Sequence, residues 1–434
     1  MRIPAAAKEP VNVRQDATVC IGSEGMLVGQ LGYVRQGARE NSAFAYDPAW
    51  LARPDRFAIS PDLLLIPEHQ RRRAHAAQDS VFHHALADTV PDAWGRRVIA
   101  RDHARRRAAE NLPPLTEMDY LLAVDDFSRI GALRLRDAGG NYLGNQAQGR
   151  CHTPPLVDLQ KIYDASRAVE MNNETAADLR YLQGRGTSLG GLRPKCTVID
   201  QNGRLSLGKF PSVTDERNVT RAEVLALHLA KHAGIDAARS RIEMVQTIPV
   251  AIIERFDRAP DDLRIPYLSA ASLLQASRVE ERSYVEIADA IRANGADPVR
   301  DTQQLWRRLL FNLLITNVDD HLHNLGFLHV ENGLWHLAPA FDINPFPDKA
   351  SESKTWLSEQ DGPITAVAEL MARASYFSLG ADAALKVLGK VVQAVSKWKT
   401  VAASAAVGLK AKELAGFAPA FVHDQMDAAR ALLK

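Results

Sequence analysis

"TNVDDHLHNLGF", residues 316–327, sets two aspartates, two histidines and two asparagines within twelve positions. The run before it, "LWRRLLFNLLI" (305–315), is apolar and reads as a helix, so these polar groups gather where a hydrophobic helix ends. Two chemistries explain such a gathering. The histidines and aspartates hold a zinc or iron ion directly, as in a hydrolase. Alternatively, Asp319 and Asn324, five residues apart, are the pair that phosphotransfer enzymes place around ATP and magnesium.

The residues on either side bear on that choice. Upstream, "GRGTSLGGLRPK" (184–195) is a glycine cluster holding Ser188, Gly190 and Gly191. Two strand candidates follow, "CTVID" (196–200) and "RLSLGKF" (204–210), joined by the turn "QNG". Leu205, Leu207 and Lys209 share one face of the second strand. A helix over 220–235 carries Glu223, and strands near 241–245 and 249–254 lead into "IIERFDR" (252–258). Downstream, "WHLAPAFDINP" (335–345) ends a strand at Asp342. Glycine loop, lysine, glutamate, hinge, aspartate loop and second aspartate come in the order of a kinase. Phosphoryl transfer needs these types: backbone N–H groups close to phosphates, a lysine as point charge, and hard oxygens for magnesium. Simpler readings stand beside each. Lys209 suits an edge strand reaching solvent, and Thr220-x-x-Glu223 is also a helix capping box. Asp342 and Ser188 suit turns, and Gly190–Gly191 a hairpin.

Together, "SLGGLRPK" (188–195), "GKFPS" (208–212), "ERFDR" (254–258), "FNLLITNVDDHLHNLGF" (311–327) and "LAPAFDINP" (337–345) resemble the HipA-type serine/threonine kinase toxins of type II toxin–antitoxin systems. "PDAWGRRV" (91–98) and "GALRL" (131–135) extend the resemblance into the amino-terminal half. It implies an α+β fold: a kinase-like two-lobed core with a mostly helical C-lobe and an extra N-terminal α+β subdomain. It implies Asp319 as the catalytic aspartate, Asn324 and Asp342 as magnesium ligands, and Lys209 on the ATP phosphates. Gly190 and Gly191 would lie in the loop over those phosphates. Glu254 and Phe256 would meet adenine at the hinge through backbone groups, and Ser188 would be the autophosphorylated serine. The implied partner is a HipB-like helix-turn-helix antitoxin that binds operator DNA. The implied substrate is a translation component such as an aminoacyl-tRNA synthetase. The chain departs from eukaryotic protein kinases in having Val318 where those have the arginine before the aspartate, and Asn344 where DFG has glycine. Nor is its glycine loop G-x-G-x-x-G.

Composition sets the bounds. A chain of 434 residues, 46% apolar and 24% charged, has room for two or three cored domains. The glycine- and asparagine-rich stretch 138–150 divides them. The expected units are an N-terminal subdomain over 1–137, a kinase-like N-lobe over 151–253 and a helical C-lobe over 254–434. Within them, short strands and turns are expected over 17–67, with "FAISPDLLLIP" (57–67) an aliphatic stretch punctuated by proline, and mostly helix over 80–135. One helix is expected over 155–182, and helix almost throughout from 266, apart from 316–345. A net charge of +1 gives no whole-chain field for nucleic acid. "QRRRAH" (70–75) and "WGRRVIARDHARRR" (94–107) read first as solvated faces. Cys20, Cys151 and Cys196 are widely spaced and form no C-x-x-C, which argues against a disulfide framework and suits a reducing cytoplasm. "MRIPAAAKEPVNV" lacks the apolar core of a signal peptide, and no apolar run is long enough to span a membrane. A rival from another class is a catalytically quiet co-repressor that serves its antitoxin as a scaffold.

Overall fold

The structure, a computed structural model, describes residues 12–74, 76, 79–144, 158–182, 191, 193–200, 203–260, 263–277, 280–350 and 352–434. The first strands are β1 (Asn12–Ile21), β2 (Met26–Gln36) and β3 (Arg39–Tyr46), followed by a short helix α1 (Pro48–Leu51). Then come β4 (Gln70–Arg73), α2 (His84–Ala87), α3 (Ala93–Glu110), α4 (Glu117–Ala123) and β5 (Leu133–Arg136). The five strands form one antiparallel sheet in the order β4-β3-β2-β1-β5. Gly22 and Gly25, at φ +78° and +71°, turn β1 into β2.

Two expectations change here. The segment 57–67 forms turns and no strand. Its Asp62 accepts hydrogen bonds from Arg72 at 2.9 Å and pairs with His83 at 2.9 Å, so the backbone bends to present that carboxylate instead of entering a ladder. The helical expectation over 80–135 resolves into three helices and a strand. Asn111, in the left-handed conformation at φ +51°, ends α3, and a Thr116–Asp119 capping box starts α4.

The second sheet is built from β6 (Lys195–Ile199), β7 (Leu205–Lys209), β8 (Ser240–Val245) and β9 (Ile248–Glu254) in the order β6-β7-β9-β8. Helices α5 (Leu159–Glu170) and α6 (Ala176–Leu182) precede it, so the single helix expected over 155–182 is broken at 171–175. Helix α7 (Val219–His232) crosses between β7 and β8 in sequence. Strand β7 is internal and every one of its residues is buried, which removes the edge-strand reading of Lys209. Asn218 caps α7 by accepting the Arg221 N–H at 3.3 Å, so Glu223 is not spent on a capping box.

The remainder opens with β10 (Tyr267–Ser269), α8 (Ala270–Leu273), α9 (Tyr284–Asn294) and α10 (Pro298–Leu314). Strands β11 (Gly326–His329) and β12 (Trp335–Leu337) join β10 in a three-stranded sheet. A small hairpin, β13 (Trp356–Ser358) and β14 (Gly362–Pro363), stands where helix was expected. Helices α11 (Val367–Ala372), α12 (Ala381–Ser396), α13 (Trp398–Ala402), α14 (Ala411–Phe417) and α15 (Asp424–Ala431) complete the chain. Trp306, Leu310 and Phe311 of α10 are fully buried against them. The architecture is therefore α+β, sheet-rich in its first half and helical in its second. Among the described residues, no helix is long and apolar enough to cross a membrane.

Candidate active site

Lys209 ends the central strand β7, and its Nζ lies 2.6 Å from Glu223 Oε1 and 2.7 Å from Asp342 Oδ1. Burial disfavours its charge, but the two carboxylates outweigh that and hold its pKa above the ordinary lysine value. The carboxylates diverge. Burial pushes the Glu223 carboxyl up against the pull of Lys209. Asp342, whose side chain is more open, is held below the usual carboxylate range by Lys209 and Lys195 despite its own desolvation. Lys195 is the cross-strand partner of Lys209, and its Nζ lies 2.7 Å from Asp92 Oδ2, both side chains fully enclosed. Asp92 also caps α3, accepting the Gly95 N–H at 2.7 Å. The start of an N-terminal helix thus delivers an anion beside the second lysine. Neither Lys195 nor Asp92 was singled out from sequence, although both lie inside quoted motifs.

The aspartate loop is set by a turn of backbone. At the end of α10, Thr316 adopts φ +52°, and the Asn317 N–H returns to Asn312 O at 2.8 Å. Asn317 Oδ1 then accepts the Asn344 N–H at 3.3 Å, joining this loop to the one that bears Asp342. Asp342 is itself left-handed, at φ +52°, a conformation costly for a residue other than glycine and one that clusters at functional sites. The adjacent aspartates turn opposite ways. Asp319 faces outward with its side chain 40% exposed, and its Oδ1 contacts Lys354 Nζ. Asp320 points inward, accepting Tyr284 Oη–H at 2.6 Å and Lys354 N–H at 2.7 Å, and burial raises its pKa. Asn324 Nδ2 donates to the Asp319 carbonyl at 2.7 Å.

Over the face shared by β7 and β9, beside the loop that bears Phe341 and Asp342, lies a cleft that is apolar along Leu207, Ile253, Phe256 and Phe341 and charged at its Lys209–Asp342 end. Glu254 borders it, but its N–H is given to Arg239 O at 2.8 Å and its carboxylate to Arg204 at 2.9 Å. The Phe256 ring stands 5.3 Å from that of Phe341. Arg255 and Asp257 also border the cleft, but their polar groups are bonded to one another and to the N-terminal region. Asp257 accepts Arg255 Nε–H at 2.6 Å, Arg258 Nη1–H at 2.8 Å and the Gly131 N–H at 2.7 Å. Arg255 and Arg258 also donate to the carbonyls of Ser128, Arg129 and Phe127. This is a buried joint to the N-terminal region, and it holds Asp257 well below the usual carboxylate range despite its desolvation.

Lys209, Glu223 and Asp342 are therefore brought together, Asn324 adjoins Asp319, and Glu254 and Phe256 line the cleft. Ser188 and Gly190 lie outside the described residues. Gly191, at φ +119°, is described, and a Cβ there would come 2.9 Å from Lys195 Nζ. His321 and His323 are 6.0 Å apart ring to ring, and among the described residues no three His, Cys, Asp or Glu side chains converge as a metal site. The oxygens fit magnesium better. Asn324 uses its amide N–H on the loop, leaving Oδ1, and Asp342 gives Oδ1 to Lys209 and Asn344, leaving Oδ2; both are hard donors.

Comparison with known proteins adds to this geometry. The chain is 23% identical over 348 residues to "Putative kinase Y4mE" of Sinorhizobium fredii, an alignment covering 74% of this chain and 75% of that one. It is 24% identical over 190 residues to a Haemophilus influenzae protein of like description, covering 38% of this chain and 55% of the relative. In fold it matches the Shewanella oneidensis HipA solved with HipB and its operator DNA, with a TM-score of 0.66, 16% identity, and 95% and 96% of the two chains covered. Residues 21–136 match the HipA N-terminal domain and residues 187–399 the HipA-like C-terminal domain. With both domains present in order on a shared fold, the chain belongs to the HipA family.

Proposed function

We propose that the chain is an ATP- and magnesium-dependent protein serine/threonine kinase that acts as the toxin of a toxin–antitoxin pair. The observation that carries this is Lys209, held between Glu223 and Asp342 at the charged end of an apolar cleft. That charged end meets the apolar walls of Leu207, Ile253, Phe256 and Phe341, the mix of apolar lining and a few polar groups that ligand sites use. In this reading the Glu254 carbonyl and the Phe256 N–H meet the base, and Lys209 meets the phosphates. Asn324 and Asp342 hold magnesium, which when bound neutralises charge on the phosphate oxygens. Asp319 orients the substrate hydroxyl and takes its proton. Gly190 and Gly191 belong to the loop over the phosphates.

Ser188, in that same loop, is proposed as the autophosphorylation site that switches the enzyme off. A phosphoserine adds roughly −1.5 to −2 charges beside a pocket meant for ATP. The proposed partner is a HipB-like helix-turn-helix antitoxin bound to operator DNA, as the Shewanella complex holds for its own chain. The proposed substrate is a translation component in the cytoplasm, an aminoacyl-tRNA synthetase first among them. Transfer of radiolabel from γ-labelled ATP by wild type, absent in Asp319→Ala, tests the activity. Phosphate on Ser188 in wild type but not in that variant, read by peptide mass spectrometry, tests the switch. Nucleotide binding without any transfer would favour the co-repressor reading.

A further inference from the structure

Beside Asp319 stands a cation from another part of the chain. The loop's own basic positions are His321 and His323; the His321 Nε2 lies 3.9 Å from Asp319 Oδ1, and His323 is exposed. Lys354, thirty-five residues on, is the residue whose Nζ contacts that oxygen. Its side chain is 57% exposed, so the ammonium faces open space rather than the core. Its backbone is the opposite. The Lys354 N–H is held by the buried Asp320 carboxylate at 2.7 Å, and Thr355 Oγ1 donates to Asp320 O at 2.8 Å. Tyr284 locks the other Asp320 oxygen at 2.6 Å. Exposed ion pairs contribute little to stability. Through Asp320 the loop that bears Asp319 and the segment that bears Lys354 are fixed against each other, so the lysine starts from a defined place beside that aspartate.

We propose that Lys354 is a catalytic residue whose ammonium meets the phosphoryl group as it passes to the substrate hydroxyl; this rests on the kinase reading above. As the hydroxyl oxygen bonds to the γ-phosphorus, the bond from that phosphorus to the β,γ-bridging oxygen breaks and ADP leaves. The hydroxyl proton goes to Asp319. Lys354 neutralises the transferring oxygens and, before substrate arrives, holds the Asp319 carboxylate in place through their contact. Asp320 is its positioning residue.

The test uses full-length wild type, Lys354→Ala and Lys354→Arg. Lys354→Ala should lower kcat about 10²–10³-fold, the cost of removing one preorganised donor. Its KM for ATP should stay within about threefold, since the contact strengthens only in the transition state. Binding of ADP with aluminium fluoride should weaken while binding of a non-hydrolysable ATP analogue does not. Lys354→Arg, which keeps the charge, should recover most of kcat, and both variants should melt with wild type. A Lys354→Ala enzyme with wild-type kcat overturns the proposal, as does one whose loss lies wholly in KM. If wild type itself transfers no phosphate, the kinase reading falls and the lysine's role with it. If wild type transfers and Lys354→Ala equals it, only the lysine's role falls.

Discussion

Two clusters of buried charge, each a set of carboxylates and cations, serve different ends. At 255–258, Asp257 sits between Arg255 and Arg258, and their guanidinium groups are further spent on carbonyls of 127–131. At the cleft, Lys209 joins Glu223 and Asp342, but one side opens on a pocket. The first is closed on itself and works as a joint between the N-terminal region and the hinge. The second borders a cleft, where the proposed kinase reading puts nucleotide and magnesium. The difference is where the hydrogen bonds end, not how much charge is buried.

The contrast can be broken at its chemical end first. Asp319→Ala should remove phosphoryl transfer by at least about 10³-fold, as expected for one member of a catalytic unit. The fold should stay intact, because that side chain is 40% exposed. Transfer near the wild-type rate would show that Asp319 takes no proton. At the joint, Asp257→Ala strands two buried guanidinium groups and should cost about 3–5 kcal/mol, seen as a lower denaturation midpoint. Lys209→Met sharpens the comparison: it should abolish transfer yet cost less stability than Asp257→Ala. Glu223, already pushed up by burial, can take a proton when its cation is gone, whereas a guanidinium cannot give one up.

A third contact between the halves adds a pH arm. The Phe57 ring stacks on His329 at 3.9 Å, and burial lowers the His329 pKa to about 4. A free histidine titrates near 6.5. The unfolded chain therefore binds more protons than the native one between these values. Stability should fall as pH falls through that window and be restored above it. His329→Phe should flatten that part of a midpoint-against-pH curve. Smallest is Tyr284→Phe, which removes one hydrogen bond to Asp320 for about 1 kcal/mol, with a modest fall in kcat if Asp320 positions Lys354.

The charged landmarks were legible because chemistry constrains residue type and order together. Lys209 and Asp342, which the structure brings to 2.7 Å of each other, could be paired in this way from the order of motifs. Glu223 could not be decided, since a capping box and a lysine partner share one spelling; Asn218 resolved it by taking the cap. In "DD" the sequence does not say which aspartate turns inward, and Lys354 reaches the loop only through the β13–β14 hairpin that helical periodicity hid. Arg255, Asp257 and Arg258 were quoted within the hinge motif, but their partners at 127–131 lie over a hundred residues away. At 57–67 the expected mix of strand and turn resolves to turns alone, because a polar anchor at Asp62 dictates the path where the apolar residues mimic a strand.

The Asp92–Lys195 pair has a consequence for thermodynamics rather than architecture. Because one partner caps an N-terminal helix and the other lies across from Lys209 and acts on Asp342, the two halves share an electrostatic balance. Whatever shifts α3 alters the field at Asp342, and whatever charge enters beside Asp342 alters the hold on α3. By linkage the two effects are equal in free energy. A grip on the first half and a ligand in the cleft are thus bound to sense each other, with no moving part between them but an ammonium and a carboxylate.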